Sequence, residues 1–398
     1  MKQQNLKFNN SNYFLIFLFL ISLLFLRASN DIGPFIETQY LFNYEFEFLK
    51  RGFLGELLRL CFNNLNSVII YNFSFFFLFL LLLIFFKIFF LDFNKKYNVY
   101  KIIFSITVII SPLTLQHFIS DIGRQDIINL LLTILTFFLI EKFYKRNFLL
   151  ATLILFNSAI MLLIHEVSFF LFIPMIFGFW FLKNSHKNTI KIQLISFLII
   201  IFITAIISTE GLSTKFTYKE LNNYLLNRYL VPFDIDKIIW VKTDSIKILY
   251  RDLFNTYDPN VKHSIIEDTI VNGFTIDALI NNSILIVLLS PIFFIVYKLY
   301  CDFFRLFNFK TKLFLVTGLS PLLMFLLGYD HMRWWAVLFT NIFIVIFYLC
   351  KEKEVFVKVI LNNVTKYKRL YFFLILESFI LGPVKANSSF DIVYKFIL

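Results

Sequence analysis

The stretch Ser67–Leu91, SVIIYNFSFFFLFLLLLIFFKIFFL, contains one charged residue, Lys87, and neither glycine nor proline. About 20 apolar residues in helical form cross the hydrocarbon core of a bilayer. Hydrocarbon offers the backbone no hydrogen-bond partners, so such a run must close its own bonds as a helix. Similar runs lie at 13–27, 101–116, 127–141, 147–165, 167–183, 192–209, 282–300, 312–328, 334–350 and 369–382. Several are short, and the run 101–116 contains Ser111-Pro112, so flanking residues must complete these spans. The predicted fold class is all-α: a polytopic helical membrane protein of about 11 transmembrane helices.

Composition agrees with this reading. Of 398 residues, 57 are Phe, 59% are apolar and only 16% are charged, with a mean hydropathy of +0.75. Soluble domains carry roughly 25% charged residues, which excludes an ordinary soluble enzyme. The apolar content equally excludes disorder. Cys61, Cys301 and Cys350 form no even set and no CxxC, so neither a disulfide framework nor a zinc site is indicated. The net charge of +12 is read by position, not as a nucleic-acid footprint.

Lysines and arginines collect in alternate loops: Lys2 and Lys7; Lys95, Lys96 and Lys101; Lys142, Lys145 and Arg146; Lys183, Lys187 and Lys191; Lys298, Arg305, Lys310 and Lys312; and a loop from Lys351 to Arg369. By the positive-inside rule these loops and the N-terminus are cytoplasmic. The run Tyr13–Leu26 is followed by a poor cleavage site and reads as an uncleaved signal anchor. Three parts follow: a membrane module over 1–209, one large outer loop forming a helical cap over 210–281, and C-terminal membrane helices over 282–398.

The outer loops place acids beside bases. They hold Glu45, Glu47, Lys50 and Arg51; Asp121, Arg124 and Asp126; His165 and Glu166; and Asp330, His331 and Arg333. The cytoplasmic loops show mostly plain lysine with little such pairing. Each outer pair taken alone reads as an interfacial salt bridge or helix cap. Four on one face predict a polar site, because ionisable groups at membrane depth are costly unless they face water or one another. Asp121 and Arg124 are spaced to share a helical face. Asp126 would be stabilised at a helix N-terminus, whereas Arg124 there calls for a carboxylate or an anionic ligand. His165 beside Glu166 suits proton transfer, or a purely structural role. Phe53–Phe62 is amphipathic but too short to span, which predicts an interfacial helix.

Signals for a metal are weak. There is no HExxH, and Asp234-Ile-Asp236 stands in the large loop without a supporting ligand. No GxGxxG or P-loop occurs, which argues against a nucleotide enzyme. Tyr218, Tyr224, Arg228, Tyr229, Trp240, Tyr250, Arg251 and Tyr257 in the large loop suit either sugar stacking or packing of the cap.

The segment Tyr44-x-Phe46-x-Phe48-x-x-Arg51-Gly52-x-x-Gly55 resembles one that recurs in polytopic proteins of bacterial surface-polysaccharide clusters, assigned as O-antigen or capsule repeat-unit polymerases. The first four spans also resemble the layout of GT-C lipid-linked glycosyltransferases. There, one acid lies in the first outer loop before a short interfacial helix, and a second lies between the third and fourth spans. Asp31, Glu45 and Glu47 match the first place, and Asp121 the second. One departure is clear: the Arg-x-Gly motifs of better-described O-antigen polymerases and ligases are missing from the large loop, where Arg228 and Arg251 are followed only by Gly273.

The resemblance implies a polymerase of the bacterial inner membrane that joins undecaprenyl-diphosphate-linked oligosaccharides on its outer face. It implies no cofactor, since the activated lipid carries the energy. Its partners would be that lipid-linked substrate, the bilayer and a chain-length regulator protein, with no nucleic acid. Glu47, Glu45 or Asp121 would be the base, with His165 and Glu166 as the alternative. Arg51, Arg124 and Arg333 would hold the diphosphate, with Lys50, Asp126, Asp330, His331 and Tyr44 completing the diphosphate and sugar site. Transfer of a single sugar from a polyprenyl phosphate and transport of a lipid-linked sugar remain as other readings. The second is weakened by mid-span regions nearly free of charge and by the absence of an internal repeat.

Overall fold

A long apolar run becomes a helix wherever nothing interrupts it, and the interruptions in this chain decide how the bundle is built. The computed structural model describes residues 10–28, 32, 34–45, 48, 50–94, 98–184, 186–210, 276–306, 308–327 and 330–384, and among these all regular structure is helical. Asp31, Glu47, the Asp234-Ile-Asp236 pair and the aromatic residues of the large loop lie outside the described residues.

In chain order the first helices are α1 (Asn10–Arg27), α2 (Pro34–Gln39), α3 (Phe53–Cys61) and α4 (Ser67–Phe85). The last of these continues as a π-helical segment, Phe86–Asp92. Then come α5 (Val99–Ile110), α6 (Leu115–Ser120), α7 (Gln125–Phe143), α8 (Asn147–Ile164), α9 (Ser168–Leu171), α10 (Ile173–Lys183) and α11 (Lys187–Glu210). The C-terminal set is α12 (Ile276–Leu288), α13 (Ser290–Leu306), α14 (Phe309–Thr317), α15 (Met324–Leu327), α16 (His331–Glu352), α17 (Glu354–Lys366) and α18 (Lys368–Leu381).

Among the described residues, six helical stretches are long and apolar enough to cross a membrane, or up to eight if each of two bent pairs is one span. The bent pairs are Leu279–Leu288 with Ser290–Arg305, at 70°, and Phe309–Thr317 with Ser320–Leu327, at 49°. Each of the eleven apolar windows falls on helix, but three miss the length or apolarity of a full span. Gln125–Phe143 carries Asp126, Glu141 and Lys142, Ser168–Lys183 is broken at Phe172, and Lys368–Leu381 has only 14 residues.

Two stretches form the interior. Val99–Ser120 is 94% buried over its most apolar window and His331–Glu352 is 89% buried, against 28% for both Asn10–Arg27 and Lys187–Ser208 at the rim. Interior position matters because broken helices leave carbonyls that only protein can satisfy. Pro112 cannot donate to the Val108 carbonyl, so the Thr114 hydroxyl donates there instead, and the Gln116 amide donates to Ile110. At the Phe172 break, the Leu171 carbonyl accepts from Asn341 of α16 at 2.6 Å and from Ser320 at 3.5 Å. The polar residues of the central helix thus repair the breaks in its neighbours.

The predicted interfacial helix is α3. Leu54, Gly55 and Leu58 are buried on one side, while Leu57, Leu60 and Phe62 are exposed on the other. A Cβ on Gly55 would stand 1.9 Å from the Phe42 carbonyl oxygen and 2.6 Å from that of Tyr40. The second glycine of the Gly52-x-x-Gly55 pattern therefore lets the chain over residues 40–42 lie directly on the helix. Gly55→Ala should cost about 1–3 kcal/mol, the usual penalty of overpacking. Thermal unfolding of the micelle-solubilised protein checks this.

Three expectations need correction. The loop expected over Lys351–Arg369 is largely α17, whose Phe356, Val359, Ile360 and Val364 pack inward at helical spacing. Lysines at the end of the bundle away from His165 are not plain, because Lys183 pairs with both Glu352 and Glu141, and Lys351 pairs with Glu141. The expected loop 210–281 also ends sooner, since α12 begins at Ile276.

Candidate functional site

The site is built where the ends of α6 and α8 and the first turn of α16 meet the first turn of α7, and its residues stand at or near helix ends. Arg51 is in the left-handed region, at φ 65°, which non-glycine residues adopt only under constraint. That turn delivers its side chain to Glu166, whose two carboxylate oxygens lie 3.2 and 3.1 Å from Arg51 Nε. Lys50 Nζ lies 4.0 Å from the same carboxylate. Glu166 occupies the corner between α8 and α9. The helix ends at Ile164 because His165 turns extended, and its Nδ1 accepts from the Val167 N–H at 3.3 Å and lies 3.6 Å from Glu166.

The second half of the site joins α6, α7 and α16. Asp121 and Arg124 do not share a helix face. Asp121 caps α6 and Arg124 caps α7, with the turn between them made possible by Gly123 at φ 94°. Arg124 Nε donates to Asp121 Oδ2 at 2.9 Å. Asp126 does open α7, but its buried carboxylate is taken by Arg333, with Nη2 at 2.7 Å and Nε closing the fork. Asp330 stands at the N-cap of α16 yet makes no side-chain cap hydrogen bond. Its Oδ2 lies instead 3.7 Å from Arg124 Nη1 and 3.6 Å from Arg333 Nη1. Two guanidinium groups, one at the N-cap of α7 and one in the first turn of α16, thus converge loosely on one oxygen. His117 completes this side, with Nε2 4.0 Å from Asp121 and Nδ1 2.8 Å from the Val384 carbonyl oxygen.

His165 feels both halves, since Arg51 of the first and Arg333 of the second each disfavour its protonated form. Burial, reinforced by Arg51, lowers its pKa to about 4. Burial works against ionisation of Glu166 as well, yet Arg51 and then Lys50 hold its carboxyl well below the usual range. Both groups dictate one sign. A histidine depressed from 6.5 to about 4 contributes stability that is complete above pH 6.5 and is lost as pH falls toward 4. Glu166 holds its contribution above its ordinary range and loses it at still lower pH. Unfolding temperature should therefore drop once pH goes below 6.5, with a limiting slope of about 1.4 kcal/mol per unit for one proton. His165→Gln should flatten that dependence between pH 6.5 and 4, and an unchanged profile would refute the assignment.

Of the residues singled out in the sequence, Lys50, Arg51, Asp121, Arg124, Asp126, His165, Glu166, Asp330 and Arg333 are brought together. His331 turns aside, with Nδ1 2.9 Å from the Asn282 amide and its ring stacked on Phe325. Tyr44 stacks on Phe48 and donates its N–H to Glu56, so it belongs to the α3 contact. Glu45 is exposed, and its N–H donates to Asn43.

Sequence reasoning passed over four residues. Tyr40 donates to the Gly123 carbonyl at 2.8 Å, tying the first loop to the α6–α7 turn. Asn282 binds His331 and Trp335. Gln125 is buried, and neither of its side-chain polar atoms has a hydrogen-bond partner among the described residues; the same holds for the Trp334 indole N–H. Their neighbours Arg124, Asp126 and Arg333 were the signal that could have found Gln125 and Trp334. Tyr40 and Asn282 gave none. Asp330 Oδ1 is also buried and without a partner among the described residues, so donors and acceptors that these residues do not satisfy stand beside two arginines.

No protein-family model matches the chain, and neither a curated protein nor a solved structure matches it significantly.

Proposed function

We propose that this end of the bundle faces the outside of a bacterial inner membrane, with the N-terminus cytoplasmic, and joins polyprenyl-diphosphate-linked oligosaccharides into a polymer. The observation that carries the reading is the convergence of Arg124 and Arg333 on a loosely held Asp330 oxygen. A phosphate oxygen fits the same position, and guanidinium forks bind phosphate bidentately. Gln125, Trp334 and Asp330 supply the mixed donors and acceptors that sugar hydroxyls require.

In this scheme the acceptor hydroxyl gives its proton to Asp330 or Asp121 and attacks the anomeric carbon. A new C–O bond forms as the bond to the diphosphate breaks. The electron pair leaves with the diphosphate, whose growing charge Arg124 and Arg333 stabilise. Glu166 is saturated by Arg51 and Lys50, so it acts in this reading as an anchor for Arg51 and not as the base. A chain-length regulator would act from outside the bundle.

The test is the length distribution of surface polysaccharide in a strain lacking the gene, beside wild type and a complemented strain. A ladder collapsed to one repeat unit is expected. A uniform shift of every band would instead indicate single-sugar transfer, and an unchanged ladder would overturn the reading in favour of transport.

A further inference from the structure

A second feature lies on the opposite face of α7, away from Asp126. Between α4 with its π segment and α7 runs a cavity of about 370 Å³, floored by the end of α16. Phe77 and Ile84 form one wall, Leu131, Leu135 and Phe138 the other, and Phe347 the floor. Four charged residues line it as well: Lys87, Asp92, Glu141 and Lys351. On α4 and α7 the charges come last along the chain, so they gather at one end, and a long apolar trough with one charged end is the shape of an amphiphile.

The wall is unusual in its backbone. Phe86–Asp92 is π-helical, seven residues long, and Phe93 N–H closes on the Ile88 carbonyl five residues back. Such segments are rare and recur at functional sites. Bonding from i to i+5 stacks residues five apart, so Lys87 and Asp92 both reach the charged end. Asn94 and Ser105 hold the segment in place by donating to the Phe89 carbonyl at 2.7 and 2.6 Å.

We infer that this trough is a binding site for a glycerophospholipid of the leaflet at its charged end, with one acyl chain between α4 and α7 and the phosphate on Lys87. Away from the charged end the walls are apolar and offer few partners for water, which needs several polar contacts to reside in a cavity. Leu135 and Phe138 are about half exposed, so the trough opens sideways to the membrane and not to solvent. At its charged end, Lys351 is bound to Glu141, while Lys87 is exposed and makes no ion pair with the described residues. That leaves Lys87 as the cation for the phosphate, with the Asp92 carboxylate at the same end suited to a head-group ammonium. The site is separate from the transfer site and stands whether or not that reading holds.

The experiment uses the full chain in proteoliposomes containing a glycerophospholipid with a photoreactive acyl chain. Label should map to the peptide over 131–138. It should fall about tenfold in the trough-filling double variant Leu131→Trp/Leu135→Trp. Lys87→Glu, at an exposed position where folding is undisturbed, should also lower it. Label unchanged in both variants would overturn the site. So would displacement of the label by equimolar polyprenyl phosphate, which would show a trough built for an isoprenoid chain.

Discussion

On the proposed polymerase reading, replacing Arg124 by alanine will leave expression and membrane insertion intact and lower polymer formation by about 100-fold or more, the usual loss when one preorganised charge donor is removed. The geometry explains why this arginine, and not Arg51, should be so sensitive. Arg51 is committed to Glu166 through both its Nε and an Nη nitrogen. Arg124 is held through Nε by Asp121, while Nη1 approaches Asp330 at 3.7 Å, too long for a full hydrogen bond. A phosphate oxygen can displace that contact at little cost. Arg124→Lys keeps the charge but loses the fork, so it should restore only part of the activity. Gel analysis of surface polysaccharide in complemented strains provides the measurement, and normal product from Arg124→Ala would end the assignment.

The largest effect on stability is expected at Asp126. Asp126→Ala strands Arg333, buried at 6% exposure, without its main partner. Breaking a buried pair from one side costs about 3–5 kcal/mol, whereas replacing both members by apolar groups of similar volume is often close to neutral. Asp126→Ala should therefore lower the unfolding temperature sharply. The double variant Asp126→Leu/Arg333→Met should recover most of the loss while remaining inactive. Equal stability of Asp126→Ala and wild type would show that the pair is not structural.

The helices were legible in the sequence because lipid and protein interior ask the same of a residue. An apolar run such as Ser67–Leu91 has no competing reading. The number of spans was less legible, because bends depend on which neighbour accepts or donates at the break. Asn341 supports the break at Phe172 from 170 residues away. Helix α17 was hidden for another reason: its lysines read as a loop, while its apolar positions repeat with the helical period and carry the packing.

The candidate site was legible as a concentration of charge, but its pairing was not. Within one loop, Asp121 and Arg124 do bond. The tightest partners otherwise cross between loops, Arg51 to Glu166 over 115 residues and Arg333 to Asp126 over 207. Adjacent charges such as Asp330 and Arg333 meet only at 3.6 Å. Sequence proximity identifies residues at the same depth, and the fold then chooses among them.

The lysine and glutamate cluster at the far end has a mechanical consequence. Glu141, Lys183, Lys351 and Glu352 tie α7, α10 and α16 together at one level. Along α7, Glu141 is about 22 Å from Asp126 at 1.5 Å per residue. Were these helices to tilt about that cluster as a fulcrum, the displacement would be greatest at Asp126 and Arg333. A lever of this kind would let the arginines part and close around a bulky chain while the opposite face of the bundle stays shut.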